Sequence, residues 1–451
     1  MERDLEPKFH NQLLMQPQNI EITNQVVVDI FEIISNFLSN KTNFDDQSRI
    51  HDFMQFVTQT FQNFTIHNDY SHFTHKYHEF LKNLLEELDN DQLIITMQLL
   101  SPLIRIDLLN TSIFSDETIV KLAIIIQNTE EIEFNNQNFQ ILRKILKQDT
   151  SKLKIIQSSG IYDFIYSTII SNPNRISYQC INFLISYLQN LNEIDSIQSF
   201  ENPIYNLIIY AFSESNQPLI TTSLKFFTKF YEFLPNFEDF LENLIDLIFI
   251  NIKAVDKITL HGFLKFLVFL ENLNLFSIPI FDNFDLSFYF DAMQLKGNGI
   301  SAYSSIFLAK LFKFYPEFAD FSVESGYFMN IYDLIFTSRF DDRLSSIELI
   351  ASTIIHLKDP SKLEIFYDED LVQELINIDD VDNTKLVSIH ANAALMRLLS
   401  NGDEHPEIME LIASHVICNE DEMFDSEEFS LQIKSNLDLI EKEESEFKNK
   451  R

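Results

Sequence analysis

A chain of 451 residues of which 45% are hydrophobic has ample apolar surface to bury, and this excludes a wholly disordered polypeptide. Its net charge of −35, from 68 acidic and 33 basic residues, repels phosphate backbones and argues against nucleic-acid binding. Two cysteines, Cys180 and Cys418, are too few for a disulfide framework or a thiolate metal cage, and apolar runs such as "LIDLIFINI" (244–252) are too short to span a membrane.

The opening "MERDLEPKFHNQ" does not resemble a signal peptide, so a cytoplasmic location is expected, with a nuclear one left open. Residues 1–25 are polar, contain Pro7 and Pro17, and read as a loose arm. Residues 26–146 read as divergent amphipathic helices, for example "VVVDIFEIISNFL" (26–38). Within them, "HNDYSHFTHKYHEF" (67–80) gathers four of the eleven histidines, His67, His72, His75 and His78, beside Glu79. His75 and Glu79 are one turn apart, so an imidazole and a carboxylate share a helical face, as a metal site needs. Spacings of three fan the histidines too widely for a single ion, and no second cluster supplies further ligands. A polar face that titrates near neutrality is therefore the simpler account. A metal centre at His72, His75, His78 and Glu79 is the alternative.

Over residues 147–400 a pattern repeats. Apolar residues at 161, 164, 165 and 169 make one helical stripe, "SNPNR" breaks it, and a second stripe runs from Ile176 through Cys180, Phe183, Leu184, Tyr187 and Leu188. Cys180, Ser223, Gly262, Ser304, Ser346 and Ala391 then follow one another at steps of about 42 residues. All are small. An apolar side chain stands four places after each, and three places after each except at Lys265. A small residue before a bulky pair is what closely crossing helices require, because backbones approach only where side-chain bulk is missing. Gly160, Pro203 and Gly326 recur ahead of the small position as corner residues. Thr96 and Asn138 extend the step upstream, less well, since an asparagine occupies a place for small residues. "KGNGIS" (296–301) lacks the lysine-serine ending of a phosphate loop and reads as the turn into a helix. The end of the chain, residues 401–451, reads as acidic capping helices and a tail.

"SKLKIIQSSGIYDFIYSTIISNPNRISYQCINFL" (151–184) resembles an armadillo repeat, with a short helix, a glycine corner, a second helix, a short loop and a long third helix. "SVESGYFMNIYDLIF" (322–336) and "KLVSIHANAALMRLL" (385–399) are similar to its corner and third helix. The resemblance implies an all-α, right-handed α-solenoid of ~42-residue repeats, grading into HEAT-type units. It also implies a concave face, lined by third helices, that holds an extended partner chain.

Importin-alpha relatives carry a Trp and an Asn on that face, two and six places after the small residue. Here those places hold Asn182 and Ser186, Lys225 and Lys229, Leu264 and Val268, Ile306 and Lys310, Glu348 and Ser352, Ala393 and Arg397. The ladder that clamps basic cargo is absent. The groove residues expected instead are Asn182, Ser186, Lys225, Lys229, Leu264, Ile306, Lys310 and Arg397. Lys225, Lys229 and Lys310 form a basic track suited to an acidic or phosphorylated segment, unless they are ordinary solvated lysines. No catalytic motif is present and no cofactor is expected. The expectation is a non-enzymatic scaffold or adaptor for protein partners, the alternative a regulatory subunit of a phosphatase or transport complex.

Overall fold

The computed structural model describes residues 71–105, 109–273, 275, 284–295, 299–337, 339–378, 385–402 and 404–417, with Glu32, Ile34, Asn36 and Leu38 in a preceding helical stretch. The expected N-terminal arm, His67 and the acidic tail from 418 onward lie outside the described residues. Among the described residues every regular element is helical. The chain divides into two compact units, Met1–Pro235 and Asn236–Arg451.

The first unit contains α1 (Ser71–Glu87), α2 (Asn90–Arg105), α3 (Asp116–Asn128), α4 (Ile132–Gln148), α5 (Leu153–Ser158), α6 (Ile161–Ser171), α7 (Tyr178–Leu191), α8 (Ile194–Ser199), α9 (Glu201–Ser213) and α10 (Gln217–Phe230). The triplet expected over 151–184 is present as α5, α6 and α7. Its corner is Gly160, whose φ of 75° is the left-handed conformation that glycine adopts without a Cβ penalty. The preceding carbonyl, of Ser159, accepts from Gln127 Nε2 at 2.9 Å, which ties the corner to α3. Three of these helices are capped by the side chain one position before them, which accepts from a first-turn amide: Ser115 for α3, Ser177 for α7 and Asn216 for α10.

α2, α4, α7 and α10 pack in series, each long helix against the next. The small positions sit at those contacts: Thr96, Asn138 and Ser223 are fully buried and Cys180 nearly so. Asn138 fits because its amide donates to the Phe134 carbonyl of its own helix at 2.8 Å, and this folds the polar end back onto the backbone. Phe183, Phe226 and Phe227 fill the space beside them.

The second unit contains α11 (Phe237–Asn251), α12 (Lys257–Asn272), α13 (Leu286–Met293), α14 (Ile300–Phe314), α15 (Pro316–Glu324), α16 (Met329–Thr337), α17 (Phe340–His356), α18 (Glu369–Asn377), α19 (Lys385–Leu399) and α20 (Pro406–Ile417). Here α12, α14, α17 and α19 pack in series. Ser304, Ser346 and Ala391 are fully buried at the crossings, whereas Gly262 keeps some exposure. The turn expected at "KGNGIS" is seen at its described end, where Gly299 heads α14 at a φ of 69°.

Candidate partner-binding surface

In the first unit the polar groups expected on the third helices meet across α4, α7 and α10. Lys225 of α10 is exposed and donates to Asn182 Oδ1 of α7 at 3.2 Å. Ser186, one turn beyond Asn182, is buried and receives a hydrogen bond from Arg143 Nε of α4 at 3.2 Å. Its hydroxyl donates back to the Asn182 carbonyl at 3.1 Å. Lys229 follows Lys225 by one turn and is also exposed. Arg143, which precedes the residues counted from the sequence, completes this group. Burial lowers its pKa.

In the second unit two expectations are corrected. Leu264 is fully buried, because α12 is apolar on almost every side: Phe263, Phe266, Leu267, Val268 and Leu270 are buried with it. It belongs to the core and not to an accessible groove. Arg397 of α19 is also not a free groove residue. Its guanidinium donates to the carbonyls of Ile355 and Leu357 and so satisfies main-chain groups at the C-terminal end of α17. Burial lowers its pKa, partly opposed by the negative Asp320. Ile306 is half-buried on α14, and the Lys310 Nζ donates to Asn272 Oδ1 of α12 at 2.7 Å.

Lys310 belongs to a row that crosses four helices: Glu271 on α12, Lys310 on α14, Glu348 on α17 and His390 on α19. The Glu271 carboxylate is 2% exposed and accepts no hydrogen bond among the described residues. Burial pushes its pKa well above the usual carboxylate range. The positive Lys310 opposes this shift and the negative Glu348 adds to it. Glu348 Oε1 lies 3.9 Å from His390 Nδ1, both side chains being largely buried. Between α14, α17 and α19 a small cavity of about 20 Å³ is lined by Lys310, Lys313, Glu348, Ser352, His356 and His390, with Ala309 at its floor. Ser352 Oγ donates to the Ala309 carbonyl across that floor at 2.5 Å.

Counting a constant offset from the small residue finds Lys310 and Glu348 but misses Glu271 and His390. Lys310 stands well past Ser304, Glu348 just past Ser346 and His390 just before Ala391, so the row steps back by about one turn per helix.

The histidine-rich segment is placed on α1, where His78 is half-buried and Glu79 exposed; of His72 and His75 the helical position is what is described. Among the described residues no group of three or more His, Cys, Asp or Glu side chains is arranged to hold a metal ion. Also among them, no helix is long and apolar enough to cross a membrane.

No protein-family model matches the chain, and no curated protein matches it in sequence. Solved structures do match. One is an engineered protein from the Northeast Structural Genomics Consortium, with a TM-score of 0.55 at 10% identity, covering 93% of this chain and 99% of that one. A second comes from work on the conserved phosphorylation switch controlling the interaction between cadherin and beta-catenin. It has a TM-score of 0.50 at 11% identity and covers 83% of this chain and 70% of that one. Identities this low speak to fold alone, and the all-helical chain is similar in fold to both structures.

Proposed function

We propose that the protein is a non-enzymatic scaffold or adaptor. In this reading each unit builds a right-handed stretch of α-solenoid from armadillo-like repeats of ~42 residues, and the long third helices present a surface to a segment of a protein partner. The observation that carries the reading is the charged row on α12, α14, α17 and α19, in which Lys310 is half-buried, with a second half-buried lysine, Lys313, lining the same cavity. Lysines that line one cavity, Lys310 among them tied to Asn272 of the neighbouring helix, are suited to an acidic or phosphorylated partner segment. Lys225 and Lys229 extend the same chemistry to the first unit.

The test is affinity capture with the full chain, comparing wild type with Lys310→Glu/Lys313→Glu and with Lys225→Glu/Lys229→Glu. Melting curves establish that each variant is folded. Partners that bind wild type and are lost from a folded charge-reversal variant support the surface. Partners retained by both variants place binding elsewhere and end the reading.

A further inference from the structure

Lys310 and Lys313 share their cavity with two imidazoles, His356 and His390, and with one carboxylate, Glu348. We propose that this cavity face takes an acidic, carboxylate-rich peptide in a proton-linked manner, binding more tightly as both histidines protonate. The proposal rests on the partner-binding reading above and adds to it the regulation of that surface.

The geometry supplies the linkage. His390 points its Nδ1 toward Glu348 Oε1 at 3.9 Å, across the boundary between α19 and α17. His356 stands in the last turn of α17, where the helix dipole favours a positive charge, and the Arg397 guanidinium already occupies the Ile355 and Leu357 carbonyls at that end. With neutral imidazoles, the Glu348 carboxylate offsets one of the two lysines and repels an acidic peptide. Protonation of His390 neutralises Glu348 across that gap, and protonation of His356 adds a further positive charge on the cavity wall. An imidazole titrates near pH ~6.5, inside the range that cells use.

Glu271 of α12 is buried in the same row, where burial raises its pKa, the positive Lys310 opposes the shift and the negative Glu348 adds to it. The histidine double variant leaves Glu271 in place and so separates its titration from theirs. The remaining charged groups named on the packed helices are engaged or exposed. Against His356, α15 brings Glu317, Asp320 and Glu324, which pair with Lys358 and Lys362. α16 brings an exposed Asp333, and α19 brings Arg397, which is bound to main-chain carbonyls. Against His390, α18 brings exposed Glu369 and Asp370, together with Glu374 in its pair with Arg343. α20 brings exposed Glu407 and Glu410 and a half-buried His415. Among the described residues, Glu348 is the carboxylate that lines the cavity with both imidazoles.

The experiment uses the full chain and a fluorescent peptide rich in glutamate and free of phosphate, at constant ionic strength. Glutamate side chains stay ionised between pH 7.5 and 6.0, so a change in affinity over that range reports on the protein. Wild type should bind about tenfold or more tightly at pH 6.0, and His356→Gln/His390→Gln should flatten the ratio while leaving weak binding at pH 7.5. Calorimetry of wild type in buffers of differing ionisation enthalpy should show net proton uptake on binding, a readout that needs no variant to fold. Binding with the same pH ratio in the folded double variant, or without proton uptake, overturns the proton link and leaves the surface standing. Failure to bind the peptide at either pH, with Lys310→Glu/Lys313→Glu no different from wild type, overturns the acidic-segment reading as well.

Discussion

The guanidinium of Arg397 closes a helix to which it does not belong, donating to the carbonyl of Ile355 one long helix back. The last turn of α17 would otherwise leave carbonyls without donors in a half-buried setting, and a second bond to Leu357 covers the adjoining one. Replacement by methionine keeps the aliphatic stem and removes the donors. Arg397→Met should cost about 2–3 kcal/mol, read as a fall in the urea midpoint. Arg397→Lys, which lacks the fork, should recover only part of it.

Glu271 should make unit-level stability depend on pH with an unusual sign. Its folded-state pKa is raised, so the folded protein holds a proton that the unfolded chain releases above pH ~4.3. The stability this group supports is fully present below that value and is lost as pH rises toward the folded pKa. Glu271→Gln should therefore leave stability unchanged near pH 4 and raise it by about 1–3 kcal/mol at pH 7.5. Thermal melts of both proteins across that range test it. A variant destabilised at pH 7.5 would show that the ionised carboxylate is an asset to the fold.

Ser223 separates the two demands made on a crossing position. Its hydroxyl is fully buried and has no hydrogen-bond partner among the described residues, so Ser223→Ala should be neutral or stabilising by up to about 1 kcal/mol. Ser223→Leu adds bulk where α7 and α10 meet and should cost about 3 kcal/mol or more. Denaturant midpoints for the two variants should thus move in opposite directions or differ sharply in size.

Cys180 occupies the same kind of position, and burial pushes its thiol pKa far up. In a Cys418→Ser background, native protein should resist iodoacetamide for hours, while protein in concentrated urea should be alkylated fully. Mass spectrometry of the two samples decides it, and rapid native labelling would mean that α7 opens readily.

Much of the helical plan was legible because it depends on local rules. Gly160, the break at Pro173 and the apolar stripe through Cys180 each act within a few residues, and α5, α6 and α7 follow from them. Asn138 was legible in register though not in chemistry, since nothing in the sequence shows its amide folding back to Phe134. The surface was harder to read. A fixed offset assumes that successive helices present the same turn to their neighbours, yet the row from Glu271 to His390 slips by a turn at each step. Leu264 was misplaced for a related reason: its position is that of a groove residue, but α12 buries that face. Arg397 has the composition of a groove residue, and only the carbonyls ahead of it reveal its role.

Many of the side chains that tie one helix to another end on main-chain oxygens and not on a matching side chain. Lys121 donates to the Glu86 carbonyl, Arg175 to that of Thr129, Ser352 to that of Ala309 and Tyr367 to that of Leu398. A carbonyl is present whatever residue carries it, so the acceptor end of each tie survives nearly any substitution there. Helices joined this way can drift in sequence independently, with no need for paired changes. The architecture can therefore outlast almost all trace of its ancestry in the letters of the chain.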